Sequence, residues 1–518
     1  MNKDELIMVT GASGYVGSRL VAQLLSAGYK VRAGGRSLRK LQSKSWAQHS
    51  RVELVSFNVL NREALTKAMQ GCSVVYYMVH SMNPESRDFA RTDRVAAKNM
   101  VAATQQAGVK QIIYLGGLGE ETDALSKHLR SRAEVADILR SGSVPVTVLR
   151  AAMIIGAGSA SFEIMRYLTE RLPLMITPRW VSTPSQPIAI RNVLNYLVGC
   201  LEHEQCKGNT YDIGGSEVVT YRDLIETYAE EASLKKRIII PIPFFAPKLS
   251  SYWIHLVTPV PAHIARPLAD GLRNPAICQN TEIQTIIPQR LLNCREAIRL
   301  AREELQHHRV DSHWTDAGGL PPPEWCSDND PLWAGGTVLQ EEREMTVRTD
   351  AAHLWKPIVC IGGSNGWYHA DWLWEMRGWL DRLIGGSGLR RGRRDPDSLA
   401  VGDALDFWRV LDVRAEKRLL LSAEMKLPGV ALMDFRLNES SDGTVRLTHT
   451  LKFLPNGLFG IVYWYAVSPM HSLVFSGMLK GIASKAGAQI ISGPWKRRAS
   501  SPSELNAAFG EPGLQAPT

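Results

Sequence analysis

Three places in this 518-residue chain carry residues whose types and spacing suit chemistry. The first is Thr10-Gly11-Ala12-Ser13-Gly14-Tyr15-Val16-Gly17, directly after the apolar run Leu6-Ile7-Met8-Val9. A short apolar run, glycines, then a helical pattern at Val16, Leu20, Val21, Leu24 and Leu25 reads as strand, tight turn and helix. Glycines at this spacing let the turn form, let the backbone approach a pyrophosphate and let the helix pack on the strand. The helix N-terminus then offers its N–H groups to the phosphates, so Thr10 to Gly17 is the candidate cradle of a dinucleotide. The second place is Gly34-Gly35-Arg36-Ser37, after the next strand. An acidic residue there would suit a ribose 2′-hydroxyl, whereas Arg36, with Arg39 and Lys40 close behind, suits a 2′-phosphate. NADP is therefore the expected cofactor and NAD the alternative. Asn58, placed to face the adenine edge, and Val59 and Val79 complete the cofactor set. The third place lies beyond the fourth and fifth strands, where a substrate carbonyl would meet the nicotinamide. It offers His80 and, at the opening of a helix, His128; imidazole titrates near neutrality and suits proton transfer. Tyr114 is a further candidate.

The elements that must position these residues alternate. Strands are expected at residues 6–9, 30–33, 52–57, 74–79, 111–115 and 146–150, with helices between them, one over residues 93–107. Repeated βα units predict an α/β, Rossmann-type doubly wound parallel sheet, with its ligand at the carboxyl ends of the strands. Residues 151–310 lose the alternation and read as a small substrate lobe. Within it, residues 238–268 are apolar and broken by proline, which suits either this lobe or a membrane surface. Residues 316–344, with Gly318-Gly319-Leu320-Pro321-Pro322-Pro323, read as a linker. Residues 345–495 then read as a second, α+β domain: a helix over 371–383, strands at 404–410, 418–425, 431–437, 445–453 and 459–465, and a closing helix over 470–483. Trp372, Met376, Trp379 and Leu383 share one face of the first helix. Core packing is the ordinary reading of the Trp-rich segment 367–379, and lining a ligand cavity the sharper one. Residues 496–518 read as a disordered tail.

Composition bounds the function. Hydrophobic residues make up 45% and charged residues 21%, which describes a globular chain of two or three domains. The net charge of +9 is modest, and its clusters, Arg390-Arg391-Gly392-Arg393-Arg394 and Lys496-Arg497-Arg498, lack interleaved aromatics. Solvated loops are expected there, with contact to anionic lipid as the alternative, and no nucleic-acid partner. Seven scattered cysteines without C-x-x-C spacing fit reduced thiols. No secretory signal or run of 18 apolar residues is evident, so a cytoplasmic protein is expected, with peripheral contact at the inner membrane as the alternative. Glu303, His307, His308 and His313 lack ligand spacing, so no metal is expected. No particular oligomeric state is implied.

Thr10 to Gly17, with Tyr114-Leu115-Gly116-Gly117-Leu118-Gly119, His128-Leu129-Arg130-Ser131-Arg132 and Val146-Thr147-Val148-Leu149-Arg150-Ala151-Ala152, resembles the atypical extended short-chain dehydrogenases. More narrowly, it is similar to the NAD(P)-binding, nucleoside-diphosphate-sugar-epimerase-like branch. That branch is related to nitrogen-metabolite-repressor-type proteins and to the Rossmann-type accessory subunit of respiratory NADH:ubiquinone oxidoreductase. The resemblance covers residues 4–315. The second half resembles START-like helix-grip folds, which often enclose an apolar ligand. The resemblance implies a catalytic Ser plus Tyr-x-x-x-Lys, the Tyr moving the proton while the Lys lowers its pKa and holds the ribose. This chain departs from that pattern: His128-x-x-x-Arg132 occupies the Tyr-x-x-x-Lys slot and glycine the Ser slot. His128 remains able to act as acid or base, while Arg132 can hold the ribose but not share a proton. Three functions follow: an NADP(H)-dependent reductase of an apolar carbonyl or quinone-like substrate, a non-catalytic nucleotide-binding sensor or assembly factor, or an apolar-ligand carrier with a regulatory Rossmann half.

Overall fold

The structure, a computed structural model, describes residues 2–79, 89–119, 126–242, 270–306, 338–384, 386, 388–391, 393–440 and 442–497. The chain divides into two compact units, Met1–Gly318 and Gly319–Thr518. Among the described residues no helix is long and apolar enough to cross a membrane.

In the first unit strands and helices alternate: β1 (Leu6–Thr10), α1 (Tyr15–Ser26), β2 (Lys30–Gly35), α2 (Leu38–Gln42), β3 (Val52–Ser56), α3 (Arg62–Met69), β4 (Cys72–Tyr77), α4 (Phe89–Gln106), β5 (Gln111–Gly117), α5 (Lys127–Arg140) and β6 (Val146–Ala151). Beyond α6 (Ile190–Glu202), β7 (Thr210–Ile213) joins the same sheet. The strand order is β7-β6-β5-β4-β1-β2-β3, and every pair is parallel. Helices cover both faces, which is why β4 and β5 read as continuous apolar runs and are buried almost throughout. Leu20, Val21 and Leu24 of α1 pack with Val9 and Val31 on one face, and Met100 and Leu139 pack with Met8 and Ile112 on the other. Each fully buried leucine contributes roughly 1.5–3 kcal/mol. The sequence reading did not single out β7, a four-residue segment with two polar positions.

The other described residues after β6 form short strand pairs and further helices. Of these, α7 (Cys294–Gln306) is tied to α1 by the Arg19–Glu304 ion pair at 3.2 Å. Of the apolar run at 238–268, the strand Ile238–Ile242 pairs in parallel with Leu174–Pro178; residues 243–269 lie outside the described set.

In the second unit β8 (Leu339–Arg348), α8 (Ala351–Val359) and α9 (Asp371–Leu383) precede four long strands: β9 (Trp408–Arg414), β10 (Arg418–Ala423), β11 (Gly429–Glu439) and β12 (Thr444–Pro455). Then come α10 (Gly457–Lys485) and β13 (Gln489–Arg497). The sheet is antiparallel, in the order Ala404–Leu405, β9, β10, β11, β12, β8, β13.

Several expectations are corrected here. The strand expected at 459–465 is the start of α10, where tertiary packing overrides a β-branched and aromatic composition. The linker expected to reach residue 344 ends earlier, because 339–348 is a ten-residue strand. Its inward positions include Glu341 and Arg343, and buried charge there hides the alternating pattern. Of the tail expected from 496, Lys496 and Arg497 lie instead in β13, opposite Arg343 and Glu342; residues from 498 lie outside the described set. Nor are all the arginines of 390–394 solvated. Arg393 donates to the carbonyls of Ile361 (2.6 Å), Asp395 and Ser398, and Arg394 stands 3.4 Å from Asp403. Core packing holds for Trp367 and Trp374 but not for the predicted face of α9: Trp372 is 63% exposed and Trp379 54%.

One buried carboxyl in this unit yields a stability prediction. Asp406 adopts φ +54° and accepts on one oxygen from Gly363 N–H (3.0 Å) and Trp367 Nε1–H (3.1 Å). Burial pushes its carboxyl up to about 6. The folded state therefore binds more protons than the unfolded chain between roughly pH 4 and 6, so this group adds stability as the pH falls through that window. Asp406→Asn keeps the acceptor oxygen, tolerates the left-handed backbone and removes the charge. Urea unfolding should show the variant more stable at pH 7.5 by on the order of 2 kcal/mol, with that advantage shrinking towards pH 4.

Candidate nucleotide-binding site

The glycine loop is shaped by contacts that admit no side chain. Gly11 has φ +66°, and a Cβ there would stand 2.5 Å from the Met78 carbonyl oxygen. A Cβ on Gly17 would stand 2.3 Å from the Gly11 carbonyl oxygen, so this glycine lets α1 sit down on the turn. Gly14, the N-cap of α1, differs: its backbone is extended and a Cβ would meet only the Gly11 oxygen, at 3.3 Å. No side chain caps α1, and its first turn holds no acidic residue. The helix dipole and leading N–H groups are thus available to an anion beside Gly14.

The loop is fastened to the end of β2, where the 2′-substituent of an adenosine would lie. Ala12 N–H donates to Gly34 O at 3.0 Å, and a Cβ on Gly35 would lie 3.6 Å from Ser13 Oγ. Arg36 follows at once and is exposed, as is Arg39; Lys40 is buried and belongs to the short α2. Ser37 caps α2, and Ser56 donates to Arg36 O, which fixes the backbone that carries the guanidinium. Asn58 is exposed, its Oδ1 accepting from Leu60 N–H at 3.0 Å, while Val59 is buried and Val79 half-buried. Thr10 is committed elsewhere: its buried hydroxyl donates to Tyr76 O (2.9 Å) and accepts from Met78 N–H, joining β1 to β4. Tyr15 packs inward against Gly156, and burial raises its hydroxyl above the ordinary tyrosine range.

The third group is less open. His80 lies outside the described residues. His128 is in the first turn of α5, which Ser126 caps by accepting from Leu129 N–H, and it is 8% exposed. Arg132 Nη1 donates to Leu115 O at 3.3 Å, so its guanidinium ties α5 to β5. Tyr114 donates to Arg132 O at 3.4 Å, and burial pushes its hydroxyl up to about 12, a poor acid near neutrality. A Cβ on Gly117 would stand 2.8 Å from Leu129 Cδ2 and 3.2 Å from Arg132 Cδ. These two side chains of α5 pack closely on Gly117 and would have to shift to admit a serine. Sequence reading missed this close approach because no pattern of residue types announces it.

A cavity of about 370 Å³ opens on the lobe side, lined by Ile155, Gly156, Arg191, Leu300 and Glu304 among others. Its Gly156 edge touches Tyr15, but the acidic Glu303 and Glu304 make it a poor phosphate site.

Comparison with known proteins agrees with this geometry. Residues 11–173 match the family described as NAD(P)H-binding, and residues 333–478 match the family described as protein of unknown function DUF2867. The chain is 31% identical over 134 residues to the chloroplastic protein TIC 62 of Arabidopsis thaliana, covering 23% of this chain and 21% of that one. It is 22% identical over 246 residues to the photosystem II assembly factor Ycf39 of Trieres chinensis, covering 47% and 74%. It is 31% identical over 123 residues to cinnamoyl-CoA reductase 2 of Arabidopsis thaliana, covering 22% and 36%. The chain thus spans well under two thirds of the first and third of these proteins. The glycine cradle, the all-parallel sheet and the match over residues 11–173 together make the first unit an NAD(P)H-binding, Rossmann-type unit.

Proposed function

We propose that the protein is an atypical extended short-chain dehydrogenase that uses NADPH to reduce a quinone-like acceptor. The observation that carries this reading is the glycine at position 117, where the resemblance implies a catalytic serine and where the Leu129 and Arg132 side chains pack closely instead. Hydride transfer to an ordinary ketone yields an alkoxide, which needs a proton donor in the transition state. Hydride transfer to a quinone yields a hydroquinone anion of phenol-like acidity, with a pKa of about 10, which takes its proton from water. Two electrons and one hydrogen leave the nicotinamide, NADP⁺ remains, and no Ser–Tyr–Lys relay is required. The second unit is read here as a START-like helix-grip domain that holds an apolar ligand. The support is its antiparallel sheet with the 29-residue α10.

The test is NADPH oxidation by the full chain with 1,4-naphthoquinone and with an aliphatic ketone. Turnover with the quinone alone is expected. His128→Ala should change the quinone rate by no more than about threefold, whereas loss of a general acid would cost 10²–10⁴-fold. Saturable NADPH binding without turnover on any quinone would move the reading to a nucleotide sensor or assembly factor. Arg36→Asp should weaken NADPH by about tenfold or more, roughly 1.4 kcal/mol, and leave NADH unchanged or tighter; equal effects on both would place the 2′-phosphate elsewhere.

A further inference from the structure

Between the sheet and α10 of the second unit, buried polar groups from four elements converge. Glu341 and Arg343 of β8 are 4% and 1% exposed, and His449 of β12 is fully buried. Arg343 lies opposite His449 in the sheet on one side and opposite Lys496 of β13 on the other. Glu341 is well supplied: it accepts from Ser468 Oγ (2.8 Å), Lys496 Nζ (3.0 Å) and Arg343 Nη2 (3.0 Å), with His471 Nδ1 at 3.5 Å. These bonds hold its carboxyl well below the usual carboxylate range despite burial.

The other side of the cluster is not supplied. Arg343 Nη1 has no hydrogen-bond partner, nor does either ring nitrogen of His449, nor Trp374 Nε1 of α9. These side chains meet around Phe475 of α10. The Arg343 guanidinium lies 5.7 Å from its ring centroid, the His449 ring stacks on it at 4.9 Å, and Trp374 meets it edge-on at 6.1 Å. Phe435 closes the far side of His449 at 5.0 Å. A buried donor left unmade costs about 1–3 kcal/mol, and native interiors seldom keep several side by side. The buried charges of Arg343 and Glu341 balance, and the half-exposed Lys496 is solvated, so what is unmet on this side is the set of donors, to which a neutral His449 adds one N–H. A carboxylate would accept from them.

We propose that Arg343 and His449 form a binding site for the carboxylate of a largely apolar ligand, whose hydrocarbon or aromatic part lies against Phe435, Phe475 and Trp374. One guanidinium N–H and one imidazole N–H match the two oxygens of a carboxylate, whereas a phosphate dianion would ask for more donors than this side of the cluster offers. A fatty acid and an aromatic acid share this chemistry. The site rests on the reading of the second unit as a holder of an apolar ligand and is independent of the nucleotide reading of the first unit.

The test is calorimetric titration of the full chain with dodecanoate, 1-naphthoate and, as the uncharged control, dodecanol. At least one acid should bind saturably, at least tenfold more tightly than the alcohol, and the better acid identifies the apolar part. Arg343→Met should weaken that acid at least 30-fold while leaving Glu341 with Ser468, Lys496 and His471. His449→Phe, which keeps the ring stack, serves as a second variant and should weaken it at least tenfold. Near-UV circular dichroism, which reads the tryptophans packed around this cluster, and the thermal transition measured on the same samples report that each variant is folded. Absence of binding by both acids, equal binding of the alcohol, or undiminished affinity in both folded variants would overturn the proposal and leave the cluster as a site for buried water.

Discussion

Gly14→Val should abolish NADPH binding while the protein stays folded. Gly14 has an extended backbone, φ −77° and ψ 175°, that any residue adopts, and its missing Cβ faces a single atom at 3.3 Å. The isopropyl group would stand at the uncapped start of α1, where the pyrophosphate must approach the backbone. NADPH affinity should fall by at least about 100-fold, roughly 2.8 kcal/mol, with the unfolding temperature within a few degrees of wild type. Gly17→Ala is the contrasting case. Its Cβ would press against the Gly11 carbonyl, so it should lower stability as well as binding. Equal NADPH affinity in wild type and Gly14→Val would remove the phosphate from this loop.

The largest effect on stability is expected at Asp212, at the far edge of the same sheet. Its carboxylate is fully buried and accepts from Arg150 Nε (2.7 Å) and from the N–H groups of Gln279 (2.9 Å) and Asn280 (3.2 Å). It therefore pins the chain at 279–280 to β7 and β6 together. Asp212→Ala leaves a guanidinium and two backbone N–H groups without their partner, and breaking such a buried pair costs about 3–5 kcal/mol. For a unit of this size the thermal transition should fall by roughly 10 °C. A loss below about 1 kcal/mol would mean that water replaces the carboxylate freely.

The nucleotide cradle was legible in the sequence because it is a local device. Strand, glycines and helix lie within the 21 residues from Leu6 to Ser26, and each glycine answers to a contact inside that span or at the end of the adjoining strand. The strands of the parallel sheet were legible for a related reason: burial on both faces leaves unbroken apolar runs. What escaped depended on distant residues. The short β7 gains its place through Arg150 and Asp212, 62 residues apart. The strand at 339–348 was hidden by Glu341 and Arg343, whose burial makes sense only beside Ser468, His471 and Lys496. The opening of α10 looked like a strand because Ile461, Val462, Tyr463 and Tyr465 favour one. Its helical state is set by packing, with Trp464 stacked on Phe453 at 5.6 Å. At the candidate catalytic position the sequence shows His128 and Arg132, but only the structure shows Arg132 committed to Leu115 O and Leu129 packed close on Gly117.

The most direct test of the central claim is a fluorescence titration of the purified full chain with NADPH and NADH. Saturable binding of NADPH, at least tenfold tighter than NADH, is the predicted result, the margin coming from Arg36 and Arg39 at the end of β2. Failure of both nucleotides to bind, or a clear preference for NADH, would contradict it.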